Sequence, residues 1–147
     1  MSSIVRSALV GYGAQEMYAL VEAVEAYPEF LPWCRSSRVI ERKEGMTIAE
    51  LSVGLKGLKQ AFTTKNLNRT GESIEMRLVE GPFKSFRATW NFHALDTHAC
   101  KIEFAMAYEF SSALLARVLE PLFDHIANTM VDAFIRRAQT VYGPPQH

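Results

Sequence analysis

Side chains that could catalyse a reaction or ligate a metal ion are few and scattered in this 147-residue chain. Its four histidines are His93, His98, His125 and His147. They stand singly, without the short spacings typical of zinc ligands, and no GxSxG, GxGxxG, HExxH or P-loop sequence occurs. Cys34 and Cys100 form neither a CxxC motif nor a disulfide framework. Asp132 or Glu50 could serve as an acid or a base only by reaching into a pocket. We therefore predict no catalytic residue, no metal site and no required cofactor.

Noncovalent binding of an apolar molecule is the chemistry that the sequence favours instead. Aromatic and methionine side chains alternate along residues 86–92 and 104–110, and they recur on a helical stripe near the C-terminus. Such side chains usually pack in a core, but they could also line a cavity for a hydrophobic ligand, and both interpretations stay open. The candidate ligand-binding residues are Phe30, Leu31, Trp33, Phe62, Phe86, Trp90, Phe92, Phe104, Met106, Tyr108, Met130 and Phe134. Tyr108 or Asn66 is a candidate for bonding polar atoms of the ligand.

Basic side chains in the middle of the chain support a second interpretation. Contact with ribosomal RNA is one role for them, and a solvated surface is the commoner one. Lys and Arg total 16 and Asp and Glu also total 16, so the chain has no net charge to attract nucleic acid over long distances, and we expect no DNA partner. The candidate RNA-contacting residues are Lys56, Lys59, Lys65 and Arg69, with Lys84 and Arg87 nearby.

The first two thirds of the chain predict one strand, one helix and then a run of strands. Alternation predicts an opening strand over residues 4–10, and apolar residues at helical spacing predict a helix that ends near Tyr27, because Pro28 disfavours helical geometry in the residue before it. Turn residues recur between Arg38 and Phe110 and separate β-rich runs, which is typical of an antiparallel meander. Alternation over residues 99–110 predicts one buried and one wet face.

The C-terminal third predicts helix again. Ser111 or Ser112 can cap a short helix, and Pro121 is expected to begin a long one that closes near Gly143. The whole order predicts an α+β fold, with a curved seven-stranded antiparallel sheet wrapped around the long C-terminal helix. A helix is about 10 Å across, whereas seven strands span more than about 30 Å. One amphipathic helix would have to cover the whole concave face of the sheet, so we expect an apolar hollow beside it.

Two local sequences carry a resemblance that covers nearly the whole chain. One is YPEFLPWC at residues 27–34, and the other is GPFK at residues 81–84, which leads to Trp90 and Phe92. With the element order and the FSS sequence at residues 110–112, they resemble the coenzyme Q-binding protein and ribosome association toxin (RatA) family. That family belongs to the START-like, helix-grip group, together with the polyketide cyclases.

The resemblance implies one START-like domain over residues 1–147 and a function without catalysis. It implies a hydrophobic tunnel that binds ubiquinone or another polyprenyl lipid in support of respiration. The alternative is a ribosome association toxin that binds the large ribosomal subunit and blocks subunit joining, and a cyclase-type enzyme ranks below both. The expected partners are a polyprenyl quinone or similar small molecule, transiently a membrane surface, and the large subunit. The expected location is the cytoplasm. If the protein carries a lipid, we expect it to associate peripherally with the inner membrane.

The aromatic loop at residues 30–33 has two interpretations. Phe30 and Trp33 could form a lid over the tunnel mouth that enters a membrane surface, since such rings suit the bilayer interface. Alternatively, they plug the end of the core below the first helix. The stability of a Trp33→Ala variant separates the two.

Overall fold

The computed structural model describes residues 2–145 as a seven-stranded sheet with two α-helices and one 3₁₀ helix. The elements in chain order are β1 Ser2–Val10, α1 Ala14–Glu22, a 3₁₀ helix Val24–Glu29, β2 Cys34–Lys43, β3 Met46–Leu55, β4 Leu58–Arg69, β5 Ser73–Glu80, β6 Phe83–Asp96, β7 Ala99–Phe110 and α2 Ala113–Tyr142. Within this range no helix has the combination of length and apolar content needed to cross a membrane.

The sheet is antiparallel throughout, in the order β1-β7-β6-β5-β4-β3-β2. Short hairpins join β2 through β7, and glycine takes the left-handed conformation where three of them turn, at Gly45 (φ 75°), Gly57 (φ 87°) and Gly71 (φ 72°). Register shifts interrupt several pairings, and such bulges increase the twist that curls a sheet. The predicted fold, a curved seven-stranded sheet around a long C-terminal helix, is confirmed.

The alternation in β7 is also confirmed, because every even-numbered residue from Cys100 to Phe110 is buried and the odd-numbered ones are not. The buried side chains point to the concave face, where α2 packs. The prediction of two C-terminal helices is wrong, since α2 runs without a break through Pro121. Pro121 and Arg117 lie on the exposed side of α2, so water can reach the Arg117 carbonyl that Pro121 leaves without a donor. Ser112 caps the helix by accepting a bond from the Leu115 backbone N–H at 3.1 Å.

The first helix is shorter than predicted. It ends at Glu22 rather than near Tyr27, and the chain continues as the 3₁₀ helix, which accommodates Pro28 near its end. Tyr27 turns back and donates its hydroxyl to the carbonyl of Val21, one of the last carbonyls of α1. This bond holds the 3₁₀ segment under α1.

More than one helix covers the concave face. Helix α1 contacts β5, β6 and β7 as well as α2, and the 3₁₀ helix lies against β2. The expectation that α2 alone must cover the sheet is therefore wrong. Because α1 and the 3₁₀ helix also pack on the concave face, the apolar hollow beside α2 is smaller than the width of seven strands predicts.

Candidate functional site

An internal cavity lies between the concave face of the sheet, the 3₁₀ segment and α2. All of its walls are apolar or aromatic side chains. They are Tyr27, Trp33, Leu51, Phe62, Met76, Phe86, Ala88, Trp90, Phe104, Met106, Phe123, Ile126 and Met130. No carboxylate, histidine or lysine is among them, so the cavity is built to exclude charge.

The structure brings most of the predicted ligand-binding residues together. Those that line the cavity are Trp33, Phe62, Phe86, Trp90, Phe104, Met106 and Met130. The remaining candidates do not line it. They are Phe30, Leu31, Phe92, Tyr108 and Phe134, and they belong to the packing around it.

The candidates outside the cavity have identifiable packing partners. Phe134 is fully buried, with its ring centroid 5.1 Å from that of Phe30 and 5.2 Å from that of Trp90. Phe92 makes an edge-to-face contact with Tyr18, with the ring centroids 5.9 Å apart. These rings build the core that supports the cavity walls.

Several lining residues were missing from the sequence prediction: Tyr27, Leu51, Met76, Ala88, Phe123 and Ile126. The apolar periodicity of the sequence indicated that some of these residues are buried. Leu51 and Met76 are the buried positions of alternating strands, and Phe123 and Ile126 lie on the apolar stripe of α2. Which positions of a stripe border a void depends on how the side chains interlock, and periodicity carries no such information.

The cavity is small. It leaves about 30 Å³ for the centres of water-sized molecules, enough for one or two waters, whereas a cavity that binds benzene has about 150 Å³. Aromatic rings fill the remaining space, and Phe62, Phe83 and Phe123 lie with centroids 5.1–5.9 Å apart. The cavity therefore lies beside α2, where the hollow was predicted, but the protein's own side chains fill most of that space.

The aromatic loop at residues 30–33 is packed inwards. Trp33 is 2% and Leu31 is 1% exposed, and half-buried Phe30 is covered by the Arg137 guanidinium, 4.9 Å above its ring. Arg137 is itself held by Glu29 at 3.2 Å. This arrangement agrees with a plug, and a lid would first have to move Trp33 out of the core.

The proposed polar groups are engaged elsewhere. Tyr108 donates its hydroxyl to Asp124 at 2.9 Å, and burial together with this bond raises the pKa of the Tyr108 phenol. Asn66 is buried and accepts a bond from the Thr64 hydroxyl at 2.8 Å. Asp132 is exposed on α2, and Glu50 pairs with Arg38 on the outer face of the sheet at 3.5 Å, so neither carboxylate reaches the cavity.

No metal centre is apparent, because residues 2–145 contain no group of three His, Cys, Asp or Glu side chains placed to hold an ion. His93 lies on the exposed face of β6 and contacts Glu103 at 2.8 Å. His147 lies outside the described residues.

Both cysteines are buried and free. Burial raises the pKa of each thiol to about 11. At pH 8 only about a thousandth of such a thiol is in the reactive thiolate form.

We therefore expect neither cysteine of the native protein to react with dithiobis(nitrobenzoate) within minutes at pH 8. Both should react at once in guanidinium chloride, which supplies the control. Rapid reaction of one thiol in the native protein would contradict this burial, and its loss in a Cys34→Ser variant would show that Cys34, beside the aromatic loop, is the accessible one.

A row of cations crosses the outer face of the sheet. Lys65 on β4 is the cross-strand partner of Arg77 on β5, which is in turn the partner of Arg87 on β6, and all three are exposed. We call these residues the basic row. The Glu75 carboxylate forms salt bridges with two members of this row, at 2.7 Å from Arg87 and 3.2 Å from Arg77.

The predicted RNA-contacting residues do not form one patch. Lys56 and Lys59 lie at the β3–β4 hairpin, and Arg69 lies at the opposite end of β4. At about 3.3 Å per residue, Lys59 and Arg69 are about 33 Å apart. Of the four candidates, Lys65 alone belongs to the basic row, where it is joined by Arg87, which was predicted to lie nearby. Arg77 was missed, because pairing between strands is needed to place it beside Lys65.

Known proteins are similar to this chain in sequence and in fold. The family model described as polyketide cyclase / dehydrase and lipid transport matches residues 10–135. Ribosome association toxin RatA of Pseudomonas aeruginosa is 47% identical over 140 residues, 95% of this chain and 97% of that protein. The mitochondrial coenzyme Q-binding protein COQ10 homolog B of Xenopus laevis is 28% identical over 93% of this chain and 58% of its own length.

Solved structures agree on the fold. An 18 kDa protein from Caulobacter crescentus, determined in solution, is 32% identical with a TM-score of 0.76 over 98% of this chain and 100% of its own. The ZhuI aromatase/cyclase from Streptomyces sp. R1128 has a TM-score of 0.83 over 94% of this chain and 93% of its own, at 15% identity, which bears on the fold alone.

The fold is that of START-like, helix-grip proteins. The chain belongs to the polyketide cyclase and lipid transport family and, within it, to the group of proteins named ribosome association toxin RatA.

Proposed function

We propose that this protein associates with the large ribosomal subunit through its RNA, and that this contact hinders subunit joining. Similarity along nearly the whole chain to proteins named ribosome association toxin supports the proposal. The observation that carries it is the basic row, because it supplies the kind of side chain that binds phosphate on the exposed outer face of the sheet.

The spacing of the basic row suits a nucleic-acid backbone. Neighbouring strands are about 4.8 Å apart, so the three cations extend over about 10 Å. Glu75 orients the guanidinium groups of Arg77 and Arg87 but neutralises only part of their charge. Since the whole chain has no net charge, attraction must come from these short-range contacts rather than from a long-range field.

Cosedimentation with purified large subunits tests this proposal. We expect a Lys65→Ala/Arg87→Ala variant to bind about tenfold more weakly than the wild type at moderate salt. The slope of log K against log salt should also become shallower by about 0.7 for each RNA phosphate that the variant no longer neutralises.

The matched control is Arg38→Ala/Lys43→Ala, which removes two exposed cations from β2. It should bind as the wild type does. Equal weakening of both variants would mean that overall charge, not the basic row, determines binding. Binding that does not respond to salt would contradict an RNA contact altogether.

A second function, binding of a hydrophobic small molecule, is favoured by the apolar lining of the cavity. The family description includes lipid transport, and one relative is named a coenzyme Q-binding protein. Ubiquinone or another polyprenyl lipid is the finer form of this proposal, with pick-up at the inner-membrane surface. The cavity must enlarge to hold even one ring of such a lipid, so binding would require its walls to move.

Organic extraction of the purified protein followed by mass spectrometry tests the second function. Recovery of a prenylated quinone at a near-stoichiometric amount would support it. Recovery of phospholipids alone, in the amounts given by an unrelated protein purified in parallel, would contradict it. A cyclase-type reaction is not proposed, since the lining of the cavity carries no carboxylate, histidine or lysine to move a proton, and the hydroxyl of Tyr27 is bonded to the Val21 carbonyl.

A further inference from the structure

Two buried polar side-chain atoms have no hydrogen-bond partner in the described part of the chain, namely Nε1 of Trp33 and Oγ of Ser37. Trp33 is 2% exposed, and its ring forms part of the cavity wall. Ser37 is the cross-strand partner of Leu51, another lining residue. Trp33 immediately precedes β2 and Ser37 lies on β2, so both residues belong to the same edge of the sheet.

An unpaired indole N–H in this position is unusual. Buried Trp N–H groups normally donate to an acceptor, because otherwise they lose their bond to water without replacement. Tyr27, which lines the same cavity, follows the rule by donating its hydroxyl to Val21. Trp90 also lines the cavity, but its Nε1 is not among the partnerless buried atoms.

We propose that the cavity takes a flat apolar molecule with a carbonyl or ether oxygen, and that Trp33 Nε1–H donates a hydrogen bond to that oxygen. The proposal rests on the second proposed function, hydrophobic-ligand binding, and specifies its polar contact. The ring of the ligand lies among the aromatic walls, and its oxygen points to the β2 side. Trp33 thereby selects molecules with an acceptor over hydrocarbons of the same shape.

The walls are suited to open for such a ligand. Met76, Met106 and Met130 border the cavity on β5, β7 and α2. A methionine side chain has three rotatable bonds and adapts its shape at low cost. Movement of these side chains can enlarge the 30 Å³ void without unfolding the sheet.

A pair of nearly isosteric probes tests the proposal, namely acetophenone, which has a ketone oxygen, and α-methylstyrene, which has a methylene in its place. The chain has two tryptophans, so a ¹H–¹⁵N spectrum contains two side-chain indole signals, which a Trp90→Phe variant assigns. Acetophenone should shift the Trp33 indole proton downfield, and α-methylstyrene should not. By calorimetry, Trp33→Phe should change the ratio of the two affinities about tenfold in favour of the hydrocarbon, whereas Leu114→Ala, at an exposed position on α2, should leave the ratio within about twofold.

Each other result overturns the proposal in a distinguishable way. If both probes bind but shift the Trp33 signal alike, hydrophobic-ligand binding stands and the role of Trp33 fails. If Trp90→Phe changes the ratio instead, the donor is Trp90. If neither probe binds at millimolar concentration, hydrophobic-ligand binding fails as well. The spectrum of the wild-type protein decides the matter even where Trp33→Phe folds poorly.

Discussion

Replacing Phe134 with alanine is expected to lower the free energy of unfolding by about 3–5 kcal/mol. Phe134 is fully buried on α2, and its ring meets Tyr27, Phe30 and Trp90 at centroid distances of 5.1–5.5 Å. Truncation removes the packing of α2 against the 3₁₀ segment, the aromatic loop and β6 together. The adjoining rings are large and tightly placed, so the void cannot close easily. Chemical denaturation with urea measures the decrease.

The matched control is Leu114→Ala on the same helix, at a side chain that is 68% exposed. It should change the free energy of unfolding by no more than about 0.5 kcal/mol. A decrease below about 1 kcal/mol for Phe134→Ala would contradict the packing of α2 against the 3₁₀ segment.

Much of the fold could be predicted because apolar and polar residues alternate regularly in the strands and glycine marks the turns between them. In β7 each side chain from Cys100 to Phe110 faces the side that its period-two position predicts. Gly57 and Gly71 mark turns, since their left-handed backbone suits glycine best. Alternation and turn chemistry are local properties of the chain, so they can be read without knowing the partners.

The errors concern features that depend on contacts made only once the chain has folded. Pro121 normally begins a helix, but here α2 packs along its length, and burial of its apolar stripe outweighs one missing backbone bond. The end of α1 depends on the Tyr27 hydroxyl reaching the Val21 carbonyl, which no local pattern indicates.

The candidate site was predicted in composition but not in shape. The wall residues came from apolar stripes, yet the size of the void depends on how Phe62, Phe83 and Phe123 interlock. The basic row depends on register, because Lys65 and Arg87 are neighbours only through Arg77 between them. Register follows from the turns and bulges of the folded sheet.

The aromatic loop offers the second large effect, through Trp33→Ala. The side chain is 2% exposed and lines the cavity together with Tyr27 of the 3₁₀ helix. Truncation of a buried Trp costs about 3–5 kcal/mol, and we expect the lower end, because the unpaired indole N–H is removed at the same time. The vacated space merges with the existing cavity. Free indole should therefore bind there and restore part of the missing stability, since a ligand that binds only the folded state stabilises it.

Thermal denaturation with and without millimolar indole measures both effects. Indole should raise the melting temperature of Trp33→Ala by more than that of the wild type, because the wild-type cavity of about 30 Å³ must first enlarge to hold it. Pro32→Ala, at the exposed neighbouring position, is the control and should stay close to the wild type. A Trp33→Ala protein of nearly wild-type stability, with no greater response to indole, would support the lid. In that case the ring spends its time outside the core, and its removal should instead weaken binding to phospholipid vesicles.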